Sequence, residues 1–567
     1  MPVLYLLLLC ASTFACRSAP AVPPAQYRDF YNGVDLSYVN EVEDAGGVYR
    51  KAGQAVEPFA LFAAAGANLV RARLWNDATW TAYSDEADVA RTFSRAKAAG
   101  LATLLDFHYS DDWADPGKQF IPAAWKGLDE DALVKAVESW TYGVLGRLAK
   151  AGLLPDFVQI GNETNNGILK AGTARDWARD ARLFNAGIAA ARRIGAANGG
   201  KPRVLLHVAQ PENALGWFAE AEARGVVDFD AIGLSYYPQW SVLGPSAAGA
   251  VVGRLKARFG KDVMIVETAY PWTRDTAGDS AANILTESLR GYPVSPAGQA
   301  RFMADLTQIV KSSGGLGVVY WEPAWIPTAA KTRWGVGSHW ENAIFFDFKA
   351  GNEVHAGIGY LAKSYRPPAF PAGLVAAGGA LPGVPRFDLA GGLGATEAAA
   401  GAEAGAAPPR AELDLTRLVA ASGPDALFLA LETAGDLMKK PGGGFLLLLD
   451  AAPGGPSAGP EPRAASGGGA APTPDYALEI LLKEKGGQTY AYVSGQRWNG
   501  AAWEEWTPSG AIRHSESGPF RLELELPWTD LGYPDAGGAA DVGVAALSVP
   551  VYAAGAALDS LEGRAQR

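Results

Sequence analysis

Residues 102–109 read ATLLDFHY, residues 129–150 DEDALVKAVESWTYGVLGRLAK and residues 157–165 FVQIGNETN. The outer two runs are short and apolar. The middle run repeats Leu133, Val134, Val137, Trp140, Val144, Leu145 and Leu148 at intervals of three and four, which is one face of a helix. Asp129, Glu130 and Asp131 open it, where negative charge favours a helix N-terminus. A strand, a returning helix and a second strand make a parallel pair.

The same alternation extends in both directions. Strand-like runs occur at 33–39, 68–75, 102–109, 157–162, 203–209, 231–237, 264–268 and 317–322, with helical spacing between them. Eight such units over about 330 residues predict an α/β fold, a closed (β/α)₈ TIM barrel over 27–366. The turn after the first run reads SYVNEVED and lacks the glycines of a dinucleotide-binding sheet.

Residues 367–411 are rich in Ala, Gly and Pro and read as a linker. From 412 to 567 the pattern changes to strand-like runs at 426–432, 444–450, 476–482, 489–494, 520–526 and 542–549 without helical intervals. That pattern predicts a C-terminal antiparallel β-sandwich domain. At the other end, residues 1–16, MPVLYLLLLCASTFAC, have the apolar core and small residues of a signal peptide or lipoprotein signal. Export is expected, as a secreted protein or as a cell-surface lipoprotein with a lipid anchor at Cys16. The two cysteines of the chain are Cys10 and Cys16, so the rest has no disulfide and no thiolate metal site. The net charge of −11 argues against nucleic acid as a partner.

In such a barrel the reactive side chains stand at the C-terminal ends of the strands. Those ends carry Asp35; Arg71, Arg73 and Trp75; Asp106 and His108, with Trp113 in the following loop; Asn162 and Glu163; His207; Tyr236 and Tyr237; Glu267; and Trp321. Core strands have no use for this polarity. Glu163 and Glu267 follow apolar runs on the fourth and seventh strands. Carboxyl groups so opposed straddle a glycosidic bond, at about 5–5.5 Å for a retaining glycosidase and more than about 6.5 Å for an inverting one. One must stay protonated near neutral pH and the other ionised, the latter held by Arg71 or Arg73 and a Tyr hydroxyl. A lone Glu at a strand end is more often a salt-bridged or capping residue; a pair in this setting reads as catalytic.

The Asn162-Glu163 pair and Glu267 resemble the retaining (β/α)₈ glycosidases. The wording GVDLSYVNEVEDAGGVY, NLVRARLW, DFHYSDDWADPGKQ, VQIGNETNNGIL, IGLSYYPQW, IVETAYPW and WENAIFFDF is similar to glycoside hydrolase family 53, the endo-β-1,4-galactanases. The resemblance runs from about residue 32 to 362. It implies a polysaccharide partner, galactan or type I arabinogalactan, cut at internal β-1,4 linkages with retention by a monomer. It makes Glu163 the acid/base and Glu267 the nucleophile. Asn162 would bind the sugar 2-hydroxyl; Arg71, His108, Tyr236 or Tyr237, and Trp321 would line the same subsite, with Asp35, Trp113 and His207 beside them.

No cofactor is expected for the chemistry. Bacterial relatives suggest a structural calcium ion in the loop after strand seven, where Asp275, Asp279 and Asn283 offer oxygen donors. The C-terminal region resembles carbohydrate-binding modules of family 9, with Trp498, Trp503 and Trp506 as stacking candidates; a β-domain without a ligand fits equally well. Two other readings stay open: another β-1,4-glycanase of the same clan, such as a mannanase or glucanase, and a non-catalytic glycan-binding barrel.

Overall fold

The computed structural model describes residues 27–170, 175–198, 202–289 and 291–365, and strand segments between 415 and 549. Eight strands close a parallel barrel in sequence order: β1 (Tyr31–Asp35), β2 (Leu69–Leu74), β3 (Ala102–Phe107), β4 (Phe157–Ile160), β5 (Arg203–Ala209), β6 (Ala231–Ser235), β7 (Asp262–Thr268) and β8 (Gly317–Tyr320). β8 returns to pair with β1, Gly33 lying opposite Val319. A Cβ on Gly33 would stand 2.8 Å from the Val319 side chain, so the close approach needs glycine.

Helices follow the first seven strands: α1 (Val39–Asp44) and α2 (Pro58–Ala65) after β1, then α3 (Glu86–Ala98), α4 (Glu130–Lys150), α5 (Trp177–Ala197), α6 (Pro211–Ala223), α7 (Pro245–Phe259) and α8 (Pro296–Ser312). A 3₁₀ segment, Ala356–Ala362, stands where the last helix would be. In α4 the Asp129 side chain caps the N-terminus by accepting from the Ala132 amide at 2.8 Å. Leu133, Val137, Val144, Leu145 and Leu148 are buried, each contributing about 1.5–3 kcal/mol relative to exposure.

The barrel interior has two layers. Tyr31, Leu69, Leu104, Phe157, Leu205, Ala231, Met264, Val266 and Val319 fill the lower one. Further along, the same strands turn inward Asp35, Arg71, Asp106, Gln159, His207 and Ser235, all buried. The first strand is shorter than the sequence predicts. Asp35 Oδ1 accepts from the Ser37 amide at 3.1 Å and the Ser37 hydroxyl at 2.5 Å, and this local turn ends β1 before residue 36.

Beyond the barrel, strands 415–422, 426–433, 521–527 and 512–514 form one antiparallel sheet, and strands 503–506, 488–498, 476–485, 444–450 and 543–549 another. The expected signal segment with Cys16, and the linker over 367–411, lie outside the described residues.

Candidate active site

β7 contains the local irregularity that makes the site. Leu234 of β6 pairs with Ile265, but the next residue, Ser235, pairs with Glu267. The other neighbour, β8, shows the same extra residue between Val318 and Tyr320. Val266 faces the barrel interior, so strict alternation would turn Glu267 out towards the helices with Ile265. The bulge resets the parity and aims Glu267 inward.

There Glu267 meets Arg71, whose Nη2 lies 2.7 Å from Glu267 Oε1. The same guanidinium holds Asp35 Oδ2 at 2.8 Å and Asp106 Oδ2 at 2.7 Å. It also donates to Gln159 Oε1 at 3.3 Å and Asn162 Oδ1 at 2.9 Å. Burial works against the charge of Arg71, but the surrounding carboxylates outweigh it and raise its pKa. Burial likewise pushes Asp106 up, yet Arg71 and His108 hold it below the ordinary carboxylate range. His108 Nε2 reaches Asp106 Oδ2 at 3.0 Å, and its Nδ1 accepts from the Ala114 amide at 3.2 Å.

Glu163 follows Gly161 and Asn162 in a turn at the end of β4, with a backbone φ of +45°. Asn162 is pinned by its own amide, which donates to the Ala114 carbonyl at 2.8 Å. The Glu163 carboxyl meets a hydroxyl and not a cation: Ser235 Oγ donates to Oε1 at 2.5 Å. Burial and the charge of Glu267 both push Glu163 upward in pKa. Burial also pushes Glu267 up, but its contact with Arg71 opposes this. Of the two, Glu267 has the guanidinium that favours the ionised form, and Glu163 does not.

The tyrosine pair separates. Tyr237 donates to Glu267 Oε2 at 3.3 Å. Tyr236 is fully buried and its hydroxyl donates to the Leu243 carbonyl at 3.0 Å, away from the carboxyl pair. Of the two expected tyrosines, Tyr237 is thus the one that meets the carboxyl pair. Asp35 and His207 are also completely buried; Asp35 meets the site through Arg71, and His207 through Ser235, Asn162 and the Glu163 backbone amide.

Trp113 and Trp321 remain partly exposed, their rings 5.7 Å apart. Beneath Trp113 the Arg73 guanidinium lies 4.6 Å from its ring, 4.1 Å from Tyr38 and 5.0 Å from Trp75. Glu322 pairs with Arg73 at 2.6 Å. Sequence reading missed Gln159, which joins the network by donating to Asp106 Oδ1 at 2.6 Å. Its inward parity with Phe157 is the one signal that marks it.

The three expected calcium donors each have protein partners. Asp275 pairs with the Lys349 ammonium. Asp279 accepts from the Ser338 amide at 2.8 Å and lies within hydrogen-bond reach of Glu341, to which Asn283 donates at 3.3 Å. Asp275 is thus neutralised by a lysine, while Asp279 and Asn283 both lie beside Glu341.

The family model of glycosyl hydrolase family 53 matches residues 31–356, the whole barrel. The chain belongs to glycosyl hydrolase family 53. Among the members of the family, an arabinogalactan endo-β-1,4-galactanase of Cellvibrio japonicus is 52% identical over 333 residues, covering 57% of this chain and 88% of that protein. An endo-β-1,4-galactanase of Bacillus subtilis is 37% identical over 320 residues, 54% and 72% of the two chains. The family 53 catalytic domain of Ignisphaera aggregans superposes with a TM-score of 0.54 at 34% identity, over 61% of this chain and 98% of that one. A fungal β-1,4-galactanase gives 0.52 at 30% identity, over 59% and 99%.

Proposed function

We propose that the chain is a retaining endo-acting glycosidase that cleaves β-1,4-galactosidic linkages in galactan and type I arabinogalactan. The observation that carries the chemistry is the unequal wiring of two carboxyl groups. Glu267 is ion-paired to Arg71 at 2.7 Å, whereas Glu163 is bound to a hydroxyl. Ser235, the partner of Glu163, stands directly opposite Glu267 in the β6–β7 register, so the two carboxyl groups flank one position on the barrel rim.

In the first step Glu267 attacks the anomeric carbon while Glu163 gives its proton to the departing glycosidic oxygen. In the second, Glu163 takes a proton from water, which displaces Glu267 from the sugar. Two inversions give retention. Asn162 is fixed beside Glu163 to receive the sugar 2-hydroxyl, Trp321 and Trp113 offer apolar ring faces, and Tyr237 steadies Glu267. The substrate rests on the family and on the galactanases it resembles.

Incubation with linear galactan, mannan, xylan and cellulose tests the reading. Galactooligosaccharides should form from galactan alone, with the β anomer appearing first by NMR; their absence would overturn the substrate, and the α anomer the mechanism. Glu163→Gln and Glu267→Gln should each lower turnover by about a hundredfold or more.

The domain plan, signal over 1–16, barrel over 27–366, linker over 367–411 and a β-sandwich over 412–567, is part of the same proposal. Two antiparallel sheets beyond the barrel support the last unit, and Trp498 and Trp503 are register partners on adjacent strands there. A carbohydrate-binding role for that unit predicts that its loss weakens retention on insoluble galactan without changing cleavage of short oligosaccharides. Export, with or without lipid on Cys16, is tested by mass spectrometry of the mature N-terminus.

A further inference from the structure

Ser235 ends β6 with no exposed surface. It has one hydroxyl hydrogen, and the 2.5 Å bond to Glu163 Oε1 uses it. His207 Nε2 lies 2.9 Å from the same oxygen; with the serine hydrogen directed at Glu163, the imidazole donates there from Nε2. Nδ1 is then an acceptor, and it has donors: Gln159 Nε2 at 3.0 Å and the Glu163 backbone amide at 3.3 Å. Asn162 Oδ1, 2.9 Å from Nδ1, shares the Gln159 hydrogen at 3.1 Å. The other hydrogen of that amide goes to Asp106 Oδ1. Burial, with the charge of Arg71 added, keeps His207 neutral well below its ordinary range.

Among the described residues the Glu163 carboxyl makes this hydrogen bond and no other. We propose that Ser235, oriented by His207, is a positioning residue that reserves Oε1 of Glu163 as an acceptor and so places the carboxyl proton on Oε2. The proposal rests on Glu163 being the acid. As the glycosidic bond breaks, the Oε2–H proton passes to the leaving oxygen, which also takes the C–O electron pair. The Ser235 bond shortens on the forming carboxylate, and Ser235 and His207 keep their own protons throughout. A neutral, fixed donor suits this task because it stabilises the product carboxylate without abolishing the acid, as a lysine or arginine in its place would do.

The test uses the full chain carrying Ser235→Ala or Ser235→Thr. Rates are measured against pH on linear galactan and on a 2,4-dinitrophenyl β-galactobioside, whose leaving group needs no proton. The groups facing Glu163 that shape its profile are Glu267 on β7, Arg71 on β2, Asp115 in the loop after β3 and His207 on β5. Ser235→Ala should lose about tenfold or more in kcat/KM on galactan and less than about threefold on the dinitrophenyl substrate. Its basic limb should move to higher pH, since the missing hydrogen bond favoured the carboxylate. Ser235→Thr, which restores a hydroxyl, should recover both.

Equal losses on both substrates with an unmoved basic limb would overturn the proposal and leave Ser235 as packing. Ser235→Cys, a weak donor, takes the place of the alanine variant if thermal denaturation shows that one unfolded, with shifts in the same direction. Glu163→Gln separates the two levels. It should erase the basic limb and spare the dinitrophenyl substrate's first step. If it retains galactan hydrolysis and the limb, the acid assignment fails. If it erases the limb while Ser235→Ala leaves it unmoved, only the Ser235 proposal fails.

Discussion

Replacing Arg71 by methionine removes the one cation shared by Asp35, Asp106 and Glu267. The new side chain fills much of the same volume, so the effect is mainly electrostatic. Breaking a buried ion pair from one side costs about 3–5 kcal/mol, and protonation of the stranded carboxyls limits the total to that order. For a domain of this size the loss corresponds to a fall in Tm of about 4–7 °C. Activity should suffer separately. Burial already pushes Glu267 up in pKa, and Arg71 is the largest influence opposing it. Without the guanidinium the nucleophile ionises at higher pH, so the acid limb of kcat/KM should move upward. A charge-assisted hydrogen bond of about 1.5–3 kcal/mol predicts a loss of about ten- to a hundredfold at the wild-type optimum. Differential scanning fluorimetry and reducing-sugar release from galactan over a pH series measure the two effects. An Arg71→Met enzyme with the wild-type acid limb and a Tm lowered by less than about 2 °C would refute the reasoning.

His355 accepts from the Gly357 amide through Nδ1 and reaches the Ile344 carbonyl through Nε2, and burial lowers its pKa to about 4. Because the folded value lies below the ordinary value of 6.5, the histidine supports the fold above that pH and withdraws the support as pH falls towards 4. His355→Gln should remove on the order of 2 kcal/mol of the acid destabilisation in that window, seen in urea titrations; an unchanged pH dependence would contradict it. Trp321→Ala should raise KM for galactan more than it lowers kcat, losing about 1–3 kcal/mol of sugar stacking and barrel packing. A variant with wild-type KM would remove Trp321 from the subsite.

The barrel was legible because each strand–helix unit repeats the same two periodicities, and the strand ends pointed to the site because buried polarity has no structural use in a core strand. Finer assignments failed where sequence period and geometry part. Tyr236 and Tyr237 are adjacent and chemically identical, and only the turn after Ser235 decides which hydroxyl meets Glu267 and which meets the Leu243 carbonyl. Asp35 and His207 were recognisable as inward-facing, but depth in the barrel is not written in parity. Both lie one contact beneath the surface a substrate touches. Gln159 was passed over because one amide inside an apolar strand resembles noise until Asp106, Asn162 and His207 are placed around it.

Glu267 shows most clearly how a position on a strand can leave a direction unstated. Its place at the end of β7 follows from strand counting, but its direction does not. Met264 and Val266 face inward, so regular alternation would leave Glu267 among the outer helices. One extra residue in the ladder against both neighbours turns it back to Arg71. The same shift brings Glu267 opposite Ser235, whose hydroxyl holds Glu163. A single bulge therefore fixes the aim of Glu267 and sets it opposite the serine that holds Glu163. Strain at Glu163, with its positive φ, supplies the matching adjustment on the opposite wall. The regular barrel carries the polar layer to the rim, and two local departures from regularity turn that layer into a pair of carboxyl groups with different protonation.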